Sequence, residues 1–359
     1  MSEGHTRPLA GLRAADEGRF GGKSTSLGEL TAAGIPVPPG FALSASAFHA
    51  FLATGGLEER IAEALEGARG GDVGAVQAAA GTIRAAVGAQ PVPDVLREEI
   101  AARYGALARE SGDEPRPPVA VRSSAVGEDS GEATFAGQQE SYLWVRGADA
   151  VCDAVRDCWA STFGAPAIAY RARMAADRPP EMGVTVQLMV DAAVSGVLFT
   201  CNPVSGDPSI VAINAGWGLG LAVVGGEVTP DEYLLSKVTG EVVRERVNAK
   251  HVEYRPAAGG RGTERVAVPE DRQGVACLDE ARLDALVDVA RRVQRHFGSH
   301  QDVEWAIARD GEPPEGLFVL QSRPVTATGA KEPAPAPASA LSMVMGTFGA
   351  QVRDAAREP

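Results

Sequence analysis

Lys23 is the residue whose chemistry stands out first. The chain has four lysines, Lys23, Lys237, Lys250 and Lys331, and arginine supplies the other 30 of its 34 basic residues. Against that background a lysine marks a place where a compact ammonium does what a guanidinium fork cannot, approaching one phosphate oxygen as a point charge. Lys23 follows Gly21-Gly22 and precedes Ser26. Ser26 and Glu29 have capping-box spacing, and Gly34 with Pro36 supplies a stop, so a helix is predicted over 26–33. Pliable backbone, a cation and a helix N-terminus together make a phosphate site. The spacing is not that of a Walker A loop, which needs Gly six residues before the Lys and an apolar strand ahead of it. Position 17 is Glu, Gly18 comes one residue late, and 13–19 is polar. The other reading of Lys23 is a solvated surface residue.

Three further clusters carry chemistry. In Val119-Ala120-Val121-Arg122-Ser123-Ser124, a guanidinium at the end of a short strand is followed by two hydroxyls, which suits bidentate phosphate contact; a structural ion pair is the alternative. Gly131-Glu132-Ala133-Thr134-Phe135-Ala136-Gly137-Gln138 places small residues and the Thr134 hydroxyl between two glycines, so its N–H groups could close over a polyphosphate. In Asp302-Val303-Glu304-Trp305 the acids share one face of a strand, and in Leu320-Gln321-Ser322-Arg323 the amide and the guanidinium share one. If these two strands pair as a hairpin, Glu304, Gln321 and Arg323 converge. Carboxylate and amide oxygens are hard ligands for Mg²⁺, and an arginine suits a phosphate. A solvent-facing polar edge is the alternative. Gln187 is a lone polar side chain in the apolar strand Val184-Thr185-Val186-Gln187-Leu188. It bonds either a base, a phosphate or a neighbouring backbone group.

The elements that must position these residues change character along the chain. Residues 46–110 are Ala-rich with helical spacing. Pro115, Pro117 and Pro118 then mark a junction, after which strands predominate. Residues 184–190 and 194–200 read as two strands joined by a turn at Asp191, and 209–214 as another, followed by a Gly-rich stretch. An amphipathic helix is predicted over 279–297, with Leu283, Leu286, Val287, Ala290, Val293 and Phe297 on one face and Gly298 as its stop. Strands at 302–308 and 317–323 close the ordered part. Alternating Pro and Ala over 331–340 make a semi-rigid linker. Beyond it, Leu341, Val344, Met345, Phe348 and Val352 could line a docking helix, or the tail is frayed.

The 359 residues are 45% hydrophobic and 23% charged, ordinary for a globular chain of two or three domains or one large two-lobed one. A net charge of -13 argues against nucleic acid or an anionic membrane as the main partner. The longest uncharged run, 31–57, is broken by Pro36, Pro38 and Pro39, so no membrane span is expected. The N-terminus carries Glu3, His5 and Arg7 without an apolar core, so no signal peptide is expected. Cys152, Cys158, Cys201 and Cys277 fit no zinc ribbon or redox pair, and a reduced cytoplasmic protein is the simplest reading.

The clusters occur together and in order, and in that order the chain resembles the N-terminal nucleotide-binding domain of the dikinases: phosphoenolpyruvate synthase, pyruvate phosphate dikinase and rifampicin phosphotransferase. The resemblance rests on Gly21-Gly22-Lys23-Ser24, Gly34-Ile35-Pro36-Val37-Pro38-Pro39-Gly40-Phe41, Val121-Arg122-Ser123-Ser124-Ala125 and Phe135-Ala136-Gly137-Gln138. It continues through Ser195-Gly196-Val197, Asn202-Pro203, Gly216-Trp217-Gly218-Leu219-Gly220, Val228-Thr229-Pro230-Asp231, Asp302-Val303-Glu304-Trp305 and Gln321-Ser322-Arg323-Pro324. It implies an α+β, two-lobed ATP-grasp fold with mixed or antiparallel sheets and flanking helices. The lobes expected are 1–115 and 116–327, followed by the linker 328–340 and a docking helix or disordered tail at 341–359. By motif match, Lys23 and Arg122 would bind ATP phosphates and Thr134, Gly137 and Ser141 would lie in the loop over the nucleotide. Gln187 would contact the nucleotide, Glu304 and Gln321 would hold Mg²⁺, and Arg323 would stabilise the transferring phosphoryl group. Lys23, Arg122 and Arg323 are the catalytic set.

Two departures shape the functional expectation. Leu221 stands where relatives often have an acid after Gly-Leu-Gly. None of His5, His49, His251, His296 and His300 has the context of the phosphorylated histidine on the swivelling domain of the full enzymes. The expectation is therefore an ATP-binding half-enzyme that passes a phosphoryl or pyrophosphoryl group to a His on a separate dikinase-like subunit, as in phenylphosphate synthase, with ATP ending as AMP and phosphate. A small-molecule acceptor would be reached through that partner. The alternatives are a self-contained hydroxyl kinase, a non-catalytic nucleotide sensor, or a fragment of a longer dikinase.

Overall fold

The computed structural model describes residues 4–68, 72–112, 114–127, 140–173, 181–325 and 352–354. The chain divides into two compact units. Met1–Thr25, Pro39–Met189 and Ala350–Pro359 make the first, and Ser26–Pro38 with Val190–Gly349 the second.

The first unit holds β1 (Thr6–Pro8), α1 (Glu17–Phe20), the start of α2 (Gly22–Ala32) and β2 (Gly40–Leu43). The Ala-rich stretch forms the expected helices, α3 (Ala45–Leu52), α4 (Leu57–Glu66), α5 (Val73–Ala89) and α6 (Asp94–Glu110). Then come β3 (Val119–Ala125), β4 (Ser141–Val145), α7 (Ala148–Ser161), α8 (Ala165–Arg173) and β5 (Met182–Leu188). The strands pair antiparallel in the order β1-β2-β5-β3-β4. Phe41, Leu43, Val121, Val184 and Val186 turn one face of this sheet to Phe48, Phe51, Val155 and Trp159 in the helical layer. The Phe51 and Trp159 rings lie 4.9 Å apart between centroids. With few aromatics available, small residues such as Ala79 and Ala80 on α5 let the helices approach closely and bury their stripe.

The second unit holds β6 (Ala192–Phe199), β7 (Ile210–Trp217), α9 (Leu221–Val224), β8 (Asp231–Ser236), β9 (Val242–Arg246) and the ribbon β10 (Val252–Pro256) with β11 (Thr263–Ala267). It closes with α10 (Glu270–Gln273), α11 (Glu280–Phe297), β12 (Gln301–Ala308) and β13 (Leu317–Pro324). Its six-stranded sheet is antiparallel in the order β13-β12-β6-β7-β8-β9. The amphipathic helix expected over 279–297 is α11. Asp279 caps it by accepting from Arg282 N at 2.9 Å, and Gly298 ends it in the left-handed region at φ +68°. Its buried stripe of Leu283, Leu286, Val287, Ala290 and Val293 packs on β6 and β12.

The architecture is α+β, with antiparallel sheets and flanking helices, as expected. Three expectations need correction. Residue 115 is not a boundary, because β1 and β2 before it join the same ladder as β3, β4 and β5 after it. The strands on either side of Asp191 are not a hairpin: β5 belongs to the first sheet and β6 to the second. The helix at Lys23 starts at Gly22, four residues before Ser26, so Ser26 is no cap. Its hydroxyl donates instead to Ser322 O at 2.8 Å, and Glu29 pairs with His296 at 3.0 Å. The linker 328–340 and most of 341–359 lie outside the described residues. Within the latter, Val352–Asp354 (β14) runs parallel to β4.

A buried ion pair fixes the middle of the second unit. Lys250 Nζ and Asp231 Oδ1 are 2.5 Å apart, and both side chains are fully buried. Asp231 also accepts from Asn248 N at 2.9 Å and Cys277 N at 2.8 Å, and Lys250 donates to Asn248 O at 2.6 Å. One carboxylate thereby joins β8 to the segments before β10 and before α11. Removing one member of such a pair strands the other charge. Lys250→Ala should lower the unfolding free energy by about 3–5 kcal/mol, read from chemical denaturation. A loss below about 1 kcal/mol would show the pair to be dispensable.

Candidate functional site

Residues directly opposite one another on antiparallel strands project from the same side of the sheet. In the first unit Arg122 stands opposite Thr185 on β5 and Ser141 on β4. Two residues back along β3, Ala120 stands opposite Gln187, which faces Gly40 on β2. Arg122, Ser141, Thr185 and Gln187 therefore share one face, and the valines of the same strands turn the other to the helical core. Gln187 is only 1% exposed, whereas Arg122 and Lys23 are half-buried.

The first turn of α2 packs on that polar face. Ser24 Oγ lies 2.7 Å from Thr185 Oγ1, and Ser24 N donates to Ser124 Oγ at 3.3 Å. The approach depends on glycine. Gly21 has φ +78°, and a Cβ there would fall 2.1 Å from Ser124 O. Gly183 on β5 would meet Phe20 O at 2.4 Å. Gly21 and Gly183 thus let the chain lie directly on β3 and β5, and α2 carries Lys23 in its first turn, where the helix dipole favours anions. Thr134 and Gly137 lie outside the described residues. Ser141 is the first residue of β4.

In the second unit the hairpin inferred from sequence is present. Glu304 stands opposite Gln321, and Asp302 opposite Arg323. A bulge follows Glu304, so that Trp305 pairs with Val319. Bulges re-aim side chains at functional edges. Val303 and Trp305 are fully buried on the far side, while Glu304, Gln321 and Arg323 remain half-buried.

Asp302 contributes more than the sequence pattern suggested. It is 6% exposed, and its Oδ2 accepts from Arg323 Nε and Nη2, each at 3.0 Å. Its Oδ1 is buried with no hydrogen-bond partner. Burial pushes its carboxyl up to about 6, against the pull of Arg323. A buried carboxylate oxygen without a donor, beside Glu304 and the amide oxygen of Gln321, suits a hard cation. No group of three or more His, Cys, Asp and Glu side chains forms a cation site among the described residues. Asp302 was visible as a second acid on Glu304's face, but only the structure separates its buried oxygen from its neighbour's.

The five histidines all have local partners. His5 Nδ1 lies 3.2 Å from Ser46 Oγ, His49 Nε2 3.1 Å from Glu181, and His251 Nδ1 2.6 Å from Gln273 Oε1. His296 pairs with Glu29, and His300 Nδ1 lies 3.5 Å from Thr200 Oγ1.

Residues 17–342 match the family described as "Pyruvate phosphate dikinase, AMP/ATP-binding domain". A probable phosphoenolpyruvate synthase of Methanothermobacter thermautotrophicus is 42% identical over 315 residues, which cover 88% of this chain and 45% of that protein. A rifampicin phosphotransferase of Streptomyces sp is 41% identical over 320 residues, covering 89% and 35%. The phosphoenolpyruvate synthase of Pyrococcus furiosus is 38% identical over 346 residues, covering 85% and 42%. The chain belongs to the pyruvate phosphate dikinase AMP/ATP-binding-domain family, and it spans less than half the length of these relatives. No helix among the described residues is long and apolar enough to cross a membrane.

Asp302 sets a pH signature for the ligand-free chain. Its folded pKa, about 6, lies above the ordinary carboxylate value of 3.8, so the folded state holds its proton where the unfolded state does not. The stability it contributes is full below pH ~4 and is lost as pH rises to ~6. The difference in urea midpoint between the native chain and Asp302→Asn should therefore change across that window and level off above it. A difference that stays constant from pH 4 to 7 would show that Asp302 titrates normally.

Proposed function

We propose that this chain binds Mg-ATP and passes a phosphoryl or pyrophosphoryl group to a histidine outside its own sequence, ATP ending as AMP and phosphate over the full cycle. The observation that carries the reading is the in-register hairpin of the second unit. It sets Asp302, Glu304 and Gln321 oxygens beside the Arg323 guanidinium and leaves one buried carboxylate oxygen unmet. Carboxylate and amide oxygens at that spacing serve a cation that carries phosphates, and the arginine serves the phosphoryl group in motion.

In this reading Lys23 and Arg122 bind phosphate oxygens, the first as a point charge and the second as a fork. Thr134, Gly137 and Ser141 belong to the loop over the nucleotide, and Gln187 contacts the nucleotide. Glu304 and Gln321 hold Mg²⁺, with Asp302 beside them, and Arg323 stabilises the transferring group. When bound, the ion neutralises charge spreading over the phosphate oxygens. The protein groups orient the chain of phosphates and exclude water.

The acceptor histidine is assigned outside the chain because each of its five histidines is held by a local partner and none has the family's sequence context. It sits either on a separate dikinase-like subunit or on the remainder of a longer protein, since the relatives extend well beyond the matched region. The small-molecule acceptor is then reached through that domain.

The test mixes the purified chain with ATP and Mg²⁺, with and without a His-bearing dikinase domain, and follows AMP. AMP formation dependent on that domain is expected. ADP made by the chain alone with a small hydroxyl acceptor would establish a direct kinase instead. Nucleotide binding without turnover in any pairing would leave a sensor. Lys23→Ala should cut AMP formation by about 100-fold or more while the thermal midpoint stays within about 2 °C, by the scale of removing one charge-stabilising donor. Unchanged activity would remove Lys23 from the site.

A further inference from the structure

Glu140 is a buried carboxylate in the first unit that has no role in the reading above. It sits two residues after the Gly131–Gln138 stretch and directly before Ser141. Ser141 shares the polar face of the first sheet with Arg122, so its neighbours Glu140 and Tyr142 project to the helical side. Glu140 is 6% exposed there. Its backbone already belongs to the ladder, since Ser123 N donates to Glu140 O at 3.4 Å.

Both oxygens of this carboxylate are met. Arg84 Nη2 on α5 donates to Oε1 at 3.2 Å, and the Tyr142 hydroxyl donates to Oε2. Burial, with this bond, pushes the Tyr142 hydroxyl far above its ordinary value, so it remains a donor. Beside the carboxylate is a cavity of about 170 Å³, lined among the described residues by Arg84, Gly88, Glu140, Tyr142, Asp157 and Ala160. A void offers no contact atoms. On that side the start of β4 is therefore fixed by the two bonds and not by packing. A one-residue slip at this point would take Ser141 off Arg122 and turn its side chain to the other face.

We infer that Glu140 is a positioning residue for nucleotide binding: latched to Arg84 and Tyr142, it ties the start of β4 to α5 and holds Ser141 opposite Arg122. This rests on the Mg-ATP reading above, in which Ser141 and Arg122 meet the nucleotide. The latch acts from behind the sheet and touches no ligand. It joins the phosphate face to α5, whose remaining contacts are those of the apolar core.

The test measures binding of AMP-PNP with Mg²⁺ by calorimetry on the full chain. Glu140→Gln keeps the shape and removes the charge, and should weaken binding roughly 3- to 30-fold. Tyr142→Phe, the milder variant, should give a smaller loss in the same direction, because Arg84 still holds the other oxygen. Adding Arg84→Gln to Glu140→Gln should cost less than about twofold more, since both break one latch. Amide exchange over 140–143 in the ligand-free chain should quicken in the latch variants. Val87→Ala, a core truncation one turn along α5, is the control for a purely structural role. It should lower the thermal midpoint by several degrees while affinity stays within about twofold. Unchanged affinity in both Glu140→Gln and Tyr142→Phe, an equal loss in Val87→Ala, or losses that add in the double variant would overturn the inference while leaving the nucleotide reading intact. Failure of the native chain to bind AMP-PNP would overturn both.

Discussion

The chemistry of the second unit depends on one desolvated contact, the Asp302 carboxylate against the Arg323 guanidinium across β12 and β13. Taking a carboxylate out of water is unfavourable unless its oxygens are met. Arg323 meets one oxygen twice and leaves the other with nothing. The guanidinium therefore fixes the orientation of the carboxylate without satisfying it. Such an unmet group costs about 1–3 kcal/mol or more, and a bound cation would return that energy as affinity. Glu304 and Gln321 are held in the same frame because the antiparallel register places them one dyad along, and the bulge after Glu304 lets Trp305 remain in the core. The unmet carboxylate oxygen is thus held in a hairpin that the backbone ladder and the α11 stripe fix firmly.

The first unit solves a different problem. Its polar face has to accept the chain close to its strands, and side chains would prevent that. Gly21 and Gly183 remove the steric obstacle, while Ser24, Ser124 and Thr185 supply hydroxyls that bond across the short gap. The turn of α2 is then seated by backbone contact, so the position of Lys23 is set by parts of the structure that cannot slide. The valines on the reverse side, packed against Phe48, Phe51 and Trp159, keep the sheet itself from adapting. Rigid support behind a charged first turn is what precise phosphate recognition requires.

Patterns confined to one element were legible in the sequence. The α11 stripe, its Asp279 cap and Gly298 stop, the terminal hairpin and the shared face of Glu304 with Gln321 and Arg323 all follow from periods of 3.6 and 2. What depends on partners distant in the chain was not. The prolines at 115–118 resemble a domain boundary, yet the strands on either side of them complete one sheet, because ladder pairing ignores sequence distance. Asp191 resembles a hairpin turn, yet it carries the chain from one sheet to another. Ser26 and Glu29 had capping spacing, but Gly22 could begin the helix earlier because Ser124 and Thr185, over a hundred residues away, bond its first turn. A spacing rule sees none of those partners.

Lysine scarcity shows how far composition can lead and where it stops. It singled out Lys23, but it applied equally to Lys237 and Lys250, and the structure gives these different work. Lys237 Nζ donates to the carbonyls of Thr200 and Pro208 and to Gln294 Oε1, tying loops to α11. Lys250 is fully buried against Asp231. In each case a compact ammonium with three rotatable donors meets several convergent oxygens, so the physical character of the contact is shared while the role is not. The flanking residues separate the roles. Lys250 lies nineteen residues after Asp231, the end of a Thr-Pro-Asp segment whose carboxylate needs a counter-charge, whereas Lys23 follows two glycines and opens a helix, where the adjacent dipole repels a cation unless an anion is also present. A positive charge placed at a positive helix end is unfavourable in isolation. Its presence there calls for an anion nearby, and the sign of two charges is enough to say so.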